Sequence, residues 1–268
     1  MKSTLDYIPE RTCKPRKSGV TMMMDKGLSI REVEDFLSTG GEYCDFAKLG
    51  FGTSMMMKEK DVLKKIQLYQ EANILVYLGG TLFEAYIIRN KLEEYLKLVD
   101  KLKLDAIEVS DGSILMEHDI KCKYIQKLAK RHIVLSEVGT KEAGIITAPN
   151  KWISMMKTEL EAGSAYVIGE ARESGTVGIY RPNGNAHVAL INKITAKVDQ
   201  DKIIWEAPLK SQQVWFVKTL GANVNLGNIA ANEVIPLETL RVGLRGDTFF
   251  QFLPNKYQKL RIKPLESK

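Results

Sequence analysis

Cysteine and histidine are scarce in this sequence, at three residues each in 268. Cys13, Cys44 and Cys122 are odd in number and show no CxxC spacing, so neither a disulfide framework nor a thiolate zinc site is indicated. A reducing, cytoplasmic setting is the expectation. His118, His132 and His187 fall in helical or loop segments, which leaves no Ser-His-Asp arrangement in view. No apolar run approaches the ~20 residues needed to cross a bilayer, and MKSTLDYIPE at the start lacks the apolar centre of a signal peptide. A membrane partner is therefore not expected. The GxGxxG and phosphate-loop turns of open dinucleotide- and nucleotide-binding sheets are missing too, as is any linker rich in Pro, Gly or Ser. The formal net charge is +6, but the basic excess sits mostly near the ends (Lys14, Arg16, Lys17; Lys256, Lys259, Arg261, Lys263, Lys268). No basic stripe remains for nucleic acid.

What is present is an alternation of short apolar runs with longer amphipathic segments, the pattern of βα units around a parallel sheet. Strands are expected in GVTMMMD (19–25), YCDFAKL (43–49), ILVYLGG (74–80), AIEVSDG (106–112), IVLSEVG (133–139), YVIGEAR (166–172), KIIWEAP (202–208) and VNLGN (224–228). Between them, Ser29 and Glu32 form a capping box ahead of SIREVEDFLSTGG, and Gly40 and Gly41 are expected to end that helix in a left-handed cap. The interval 175–201 is the least regular, and its PNG turn suggests a short hairpin before the next helix. Eight such units in ~250 residues match a closed (β/α)8 barrel, a TIM barrel of single-domain α/β class. The boundaries expected are an N-terminal extension over 1–18, the barrel domain over 19–253 and a basic C-terminal tail over 254–268.

In a parallel barrel all strands point their C-terminal ends into one mouth, so residues there converge although they are distant in sequence. Four of those ends carry a glutamate amid apolar residues: Glu108, Glu137, Glu170 and Glu206. Each alone could simply pair with a lysine. Together they would repel one another in a low-dielectric mouth unless cations offset them. Hard oxygen ligands without His or Cys point to Mg²⁺. Lys48, Lys141, Lys210 and Arg172 supply positive charge at the same ends, and the turns KLGFGTS and LGGTLFE let backbone approach an anion closely. Within YVIGEARESG, alternation would put Glu170 and Arg172 on one side, with Glu173 holding Arg172 in place.

The ordered set FAKLGFGTS, GGTLFE, IEVSDGS, LSEVGTK, EARESG, WEAPLKSQQ, VNLGNIA and LETLRVGLRGDTF resembles the phosphosulfolactate synthase family from about Gly19 to Phe249. The resemblance implies a lyase, a (β/α)8 barrel that adds sulfite to phosphoenolpyruvate with Mg²⁺ to give (2R)-phospho-3-sulfolactate. In methanogens that is the first step of coenzyme M biosynthesis; bacterial relatives are linked to sulfolactate and plant relatives to heat stress. Carried onto this chain, LSEVGTK puts the family's proposed enolisation lysine at Lys141, while Thr140 stands where the family can have a second lysine. Phe51 replaces an indole. Lys48, Arg172, Lys210, Arg245 and Ser110 are the expected substrate contacts, and Glu108, Glu137, Glu170 and Glu206 the expected metal carboxylates. A homo-oligomer is expected. A related barrel lyase acting on another phosphorylated enol acid, and a non-catalytic stress-associated homologue, remain alternatives.

Overall fold

The computed structural model describes residues 4–139 and 148–258. Eight parallel strands lie in it: β1 (Thr21–Asp25), β2 (Phe46–Leu49), β3 (Leu75–Leu78), β4 (Ala106–Val109), β5 (Ile133–Val138), β6 (Tyr166–Gly169), β7 (Ile203–Glu206) and β8 (Leu226–Ala230). Their order is β3-β2-β1-β8-β7-β6-β5-β4, so first and last in sequence are neighbours and the sheet curls almost shut. At the β3/β4 seam, the Asp105 N–H donates to the Val76 carbonyl at 3.1 Å and its carboxylate accepts from the Val76 N–H at 2.9 Å. A side chain thus stands in where ladder bonds stop.

The strands alternate with α1 (Ile30–Gly40), α2 (Glu59–Glu71), α3 (Gly80–Ile87), α4 (Leu92–Leu102), α5 (His118–Leu128), α6 (Pro149–Glu161), α7 (Val188–Thr195), α8 (Lys210–Leu220) and α9 (Val234–Arg241). The single-domain (β/α)8 barrel expected from the sequence is what forms, with α3 as an extra helix starting right after β3. The Ser29/Glu32 capping box is present, each side chain bonded to the other residue's backbone. The left-handed cap is not: Gly41 has φ −55° and leads into a 3-10 turn. Glycine is there for packing instead, since a Cβ on Gly40 would come within 2.9 Å of the Phe36 ring. The PNG turn closes a short antiparallel bridge, Tyr180 to Ala186.

Period-2 alternation sorts the strands into two cores. Outward residues meet the helices. Inward, Met22, Phe46, Tyr77, Ala106, Leu135, Ile168 and Ile204 fill the barrel axis, with Phe46 edge-on to Tyr77 and Tyr166. Two residues further along, the same alternation must point inward again, now at the mouth.

At the other end, residues of the N-terminal segment close the barrel floor. Arg16 pairs with Asp45 at 3.0 Å, Arg11 with Glu238 at 2.8 Å, and the Lys14 ammonium donates to the Gly41 and Ala72 carbonyls.

Candidate active site

Moving two residues on from the inward apolar layer reaches Lys48 from Phe46, Glu108 from Ala106, Glu137 from Leu135, Glu170 from Ile168 and Glu206 from Ile204. All five are buried. They line a cavity of about 400 Å³ at the C-terminal mouth. The same period that builds the core therefore builds the site.

Lys48 is the hub. Its ammonium lies 3.0 Å from Glu108, 3.5 Å from Glu206 and 3.7 Å from Glu137. Burial alone would lower its pKa, but Glu108 and Glu206 foremost outweigh this and hold it well above its ordinary value. The carboxylates remain under-compensated. Burial pushes Glu206 up to about 7, and raises Glu108 as well, with Lys48 only partly opposing it. Tyr77, buried beneath, is also raised, by burial and then by Glu108. One ammonium shared by three carboxylates explains both signs at once: Lys48 is over-satisfied while Glu108 and Glu206 are not.

Backbone N–H groups take up part of the deficit. Glu108 accepts from Gly80 N–H at 2.7 Å, Glu206 from Ala171 N–H at 2.9 Å, and Glu170 from Arg172 N–H at 2.6 Å. Gly80 permits this close approach, because a Cβ there would sit 2.4 Å from the Ser110 Cβ and 2.6 Å from Glu108. Glu137, Glu170 and Glu206 each bring an oxygen within 4.8 Å of the others. This buried, all-oxygen trio fits a hard divalent cation such as Mg²⁺. Glu108 lies outside the trio, turned to Lys48 and the start of α3.

Of the expected substrate contacts, Lys48 and Arg172 line the cavity. Ser110 is fully buried behind it, its hydroxyl between Glu84 and Glu137, 2.9 Å from the latter. Lys210 is exposed and pairs with Asp247 at 2.6 Å, and neither it nor Arg245 lines the cavity. Lys141 lies outside the described residues. Strand β6 stops at Gly169, so alternation does not carry through YVIGEARESG: Arg172 turns left-handed (φ 51°), and Glu173 pairs with Lys26 rather than with Arg172. Phe51 and Asn228, which also line the cavity, share the left-handed conformation. Such strain tends to gather at functional sites.

Helices supply residues that strand-end reasoning missed. Glu84 of α3 is buried, accepts from Ser113 N–H at 2.8 Å and meets Ser110. Lys121 of α5 is fully buried, 2.9 Å from both Asp111 and Glu159, and donates to the Glu137 carbonyl. His118 adds a contact to Glu159 at 3.2 Å. Burial would raise Glu159, but Lys121 and these hydrogen bonds hold it below its ordinary value. The GGTLFE motif was the one signal that could have exposed Glu84. Nothing in HDIKCKYIQKLAK marks Lys121 as inward.

A buried carboxylate cage lies at the C-terminal face of a nearly closed parallel barrel, the face on which barrel enzymes carry their active sites. Comparison with known proteins narrows the class. The family model of (2R)-phospho-3-sulfolactate synthase matches residues 9–247. A phosphosulfolactate synthase from Methanothermobacter thermautotrophicus is 41% identical over 251 residues, covering 92% of this chain and 97% of its own. One from Bacillus subtilis is 38% identical over 246 residues, covering 91% and 97%. Among solved structures, 3-hexulose-6-phosphate synthase from Salmonella typhimurium aligns with TM-score 0.54 at 12% identity, covering 84% of this chain and all of its own, a likeness of fold alone. The chain belongs to the phosphosulfolactate synthase family.

Proposed function

We propose that the protein is a Mg²⁺-dependent lyase of the cytoplasm that adds sulfite to phosphoenolpyruvate, giving (2R)-phospho-3-sulfolactate. The observation that carries this reading is the convergence of Glu137, Glu170 and Glu206 around one cavity in a chain that matches the family from end to end of its barrel. Those three carboxylates would hold the ion, which when bound supplies positive charge for a carboxylate substrate gaining electron density.

The chain's own residues then divide the work. Lys48, with its raised pKa, serves as a fixed cation and not as a proton donor. Arg172, exposed and lining the cavity, has no carboxylate ion pair among the described residues and is available to an anionic substrate group. In the addition, the sulfur lone pair forms a bond to C3 and the C2=C3 pair shifts toward the carboxyl group. A proton then reaches C2, so that the elements of bisulfite are added and nothing leaves. Lys141 is the proposed proton donor.

Purified protein with phosphoenolpyruvate, sulfite and Mg²⁺ should yield a sulfonated product, and chelation should stop it. No sulfonated product with any divalent metal would overturn the reading. Product formation with sulfite omitted would favour a lyase on another enol acid. Lys141→Ala should abolish turnover while the fold persists; near-normal activity would remove Lys141 from the mechanism. Association into a homo-oligomer is proposed too, with light scattering as its check.

A further inference from the structure

The mouth contains two cavities. Beside the carboxylate cavity, on the β1/β8 side, lies a smaller one of about 220 Å³ that shares Met24, Phe51, Glu173 and Asn228 with it. Their electrostatics differ. Among the described residues, the larger sets four buried glutamates and the rim Glu173 against Lys48 and Arg172, so a small dianion arriving there alone meets net negative charge. The smaller has apolar walls at Met24, Pro208 and Leu209, and its charged groups are Lys26 and Glu173, which pair with each other at the rim.

Asn228 stands on the wall that the two cavities share. The residue is 8% exposed, its backbone is left-handed (φ 55°), and its Oδ1 is buried without a hydrogen-bond partner. Buried amides are ordinarily satisfied, and non-glycine residues seldom adopt this conformation unless their surroundings impose it. A half-turn about the side chain exchanges the amide oxygen and nitrogen, so the group can offer either a donor or an acceptor to whatever fills the cavity.

We propose that the smaller cavity is the subsite for the small oxyanion nucleophile, sulfite, held by the Asn228 amide and the Lys26 ammonium, while the phosphorylated enol acid occupies the larger cavity. This rests on the reaction proposed above. The division keeps the nucleophile away from the four buried carboxylates until it meets the carbon it attacks, and places its negative charge beside the unsatisfied amide and the Lys26 ammonium, for which it competes with Glu173.

Sulfite binding is read by titration calorimetry in Mg²⁺ buffer, with and without phospholactate, which lacks the reactive double bond. Asn228→Asp places a negative charge at the subsite and should weaken sulfite binding about tenfold or more. Lys26→Ala, at an exposed rim position that the fold does not need, should weaken it severalfold. In steady-state assays, both variants should raise KM for sulfite and leave KM for phosphoenolpyruvate in place. Equal sulfite binding by wild type and both variants, no sulfite binding by the wild type in either condition, or a shift in KM for phosphoenolpyruvate instead would overturn the subsite. Sulfite binding that the variants weaken, in a protein that makes no sulfonated product, would uphold the subsite and overturn the reaction.

Discussion

At the floor of the barrel, each charge has a close partner: Arg16 pairs with Asp45, Arg11 and Arg241 share Glu238, and the Lys14 ammonium donates to carbonyls. At the mouth, Lys48 is shared by Glu108, Glu137 and Glu206, with Glu170 and the exposed Arg172 on the same cavity. The floor also has the larger cavity, about 630 Å³, lined by Phe46, Leu75 and Tyr166 together with Lys14, Arg16 and Asp45, whose charges are engaged in the contacts just named. Cavity size therefore does not locate the site; the cluster of buried carboxylates at the C-terminal strand ends does. A matched pair contributes to holding the fold together, whereas a deficit is kept only where something else, a cation or a substrate, is meant to complete it.

Four measurements would break or sharpen this contrast. Lys48→Met removes the cation at the centre of the deficit, and should cost about 3–5 kcal/mol of unfolding free energy at pH 7, with turnover lost as well. A stable, active variant would show that the mouth does not depend on that lysine. Arg16→Ala at the floor should cost about 3 kcal/mol by leaving Asp45 buried and unpaired, yet leave turnover alone in the folded protein. Loss of activity in the folded variant would erase the division between the two ends. Glu170→Gln should raise the Mg²⁺ concentration needed for half-maximal activity by about tenfold or more, while chemical denaturation of the metal-free protein shows no large loss of stability.

The last effect is the gentlest per step. Glu206 has a folded pKa of about 7 against an ordinary 4.5, so between those values the folded state holds more proton than the unfolded one. Stability of the metal-free protein should therefore decline as pH rises from about 4.5 to 7, by at most about 1.4 kcal/mol per pH unit for this group. Thermal melts across that range should show the decline, and Glu206→Gln should flatten it. A melt that climbs in both proteins would mean that other groups dominate the mouth's titration.

Much of this was legible in the sequence. All eight strands were placed, though most were drawn too long: the first two were begun before their first ladder residues Thr21 and Phe46, and the sixth was carried past Gly169 into the charged loop EARESG. Glu108, Glu137, Glu170 and Glu206 were readable as a group, since a period of two and a shared mouth suffice to bring them together. The partner of Glu173 was not, because the left-handed Arg172 ends the alternation on which the reading relied and Glu173 turns to Lys26. Lys210 looked like a mouth residue by its place after β7, but as the first residue of α8 it faces solvent and Asp247. Glu84 and Lys121 were hidden for the opposite reason. A charged residue on an amphipathic helix is normally solvated, and only packing against the strand ends turns these two inward.

Local pattern by itself determined the barrel, its axis of apolar side chains and the ring of glutamates above them, because strand periodicity is a property of the backbone and needs no partner to be read. The tertiary structure decided which glutamates converge as a trio, which one is spent on Lys48 and Gly80, how α3 and α5 reinforce the ring from behind, and that the mouth divides into two cavities. Those are matters of distance between segments remote in sequence, set by how the sheet closes and how each loop turns, and no spacing along the chain encodes them.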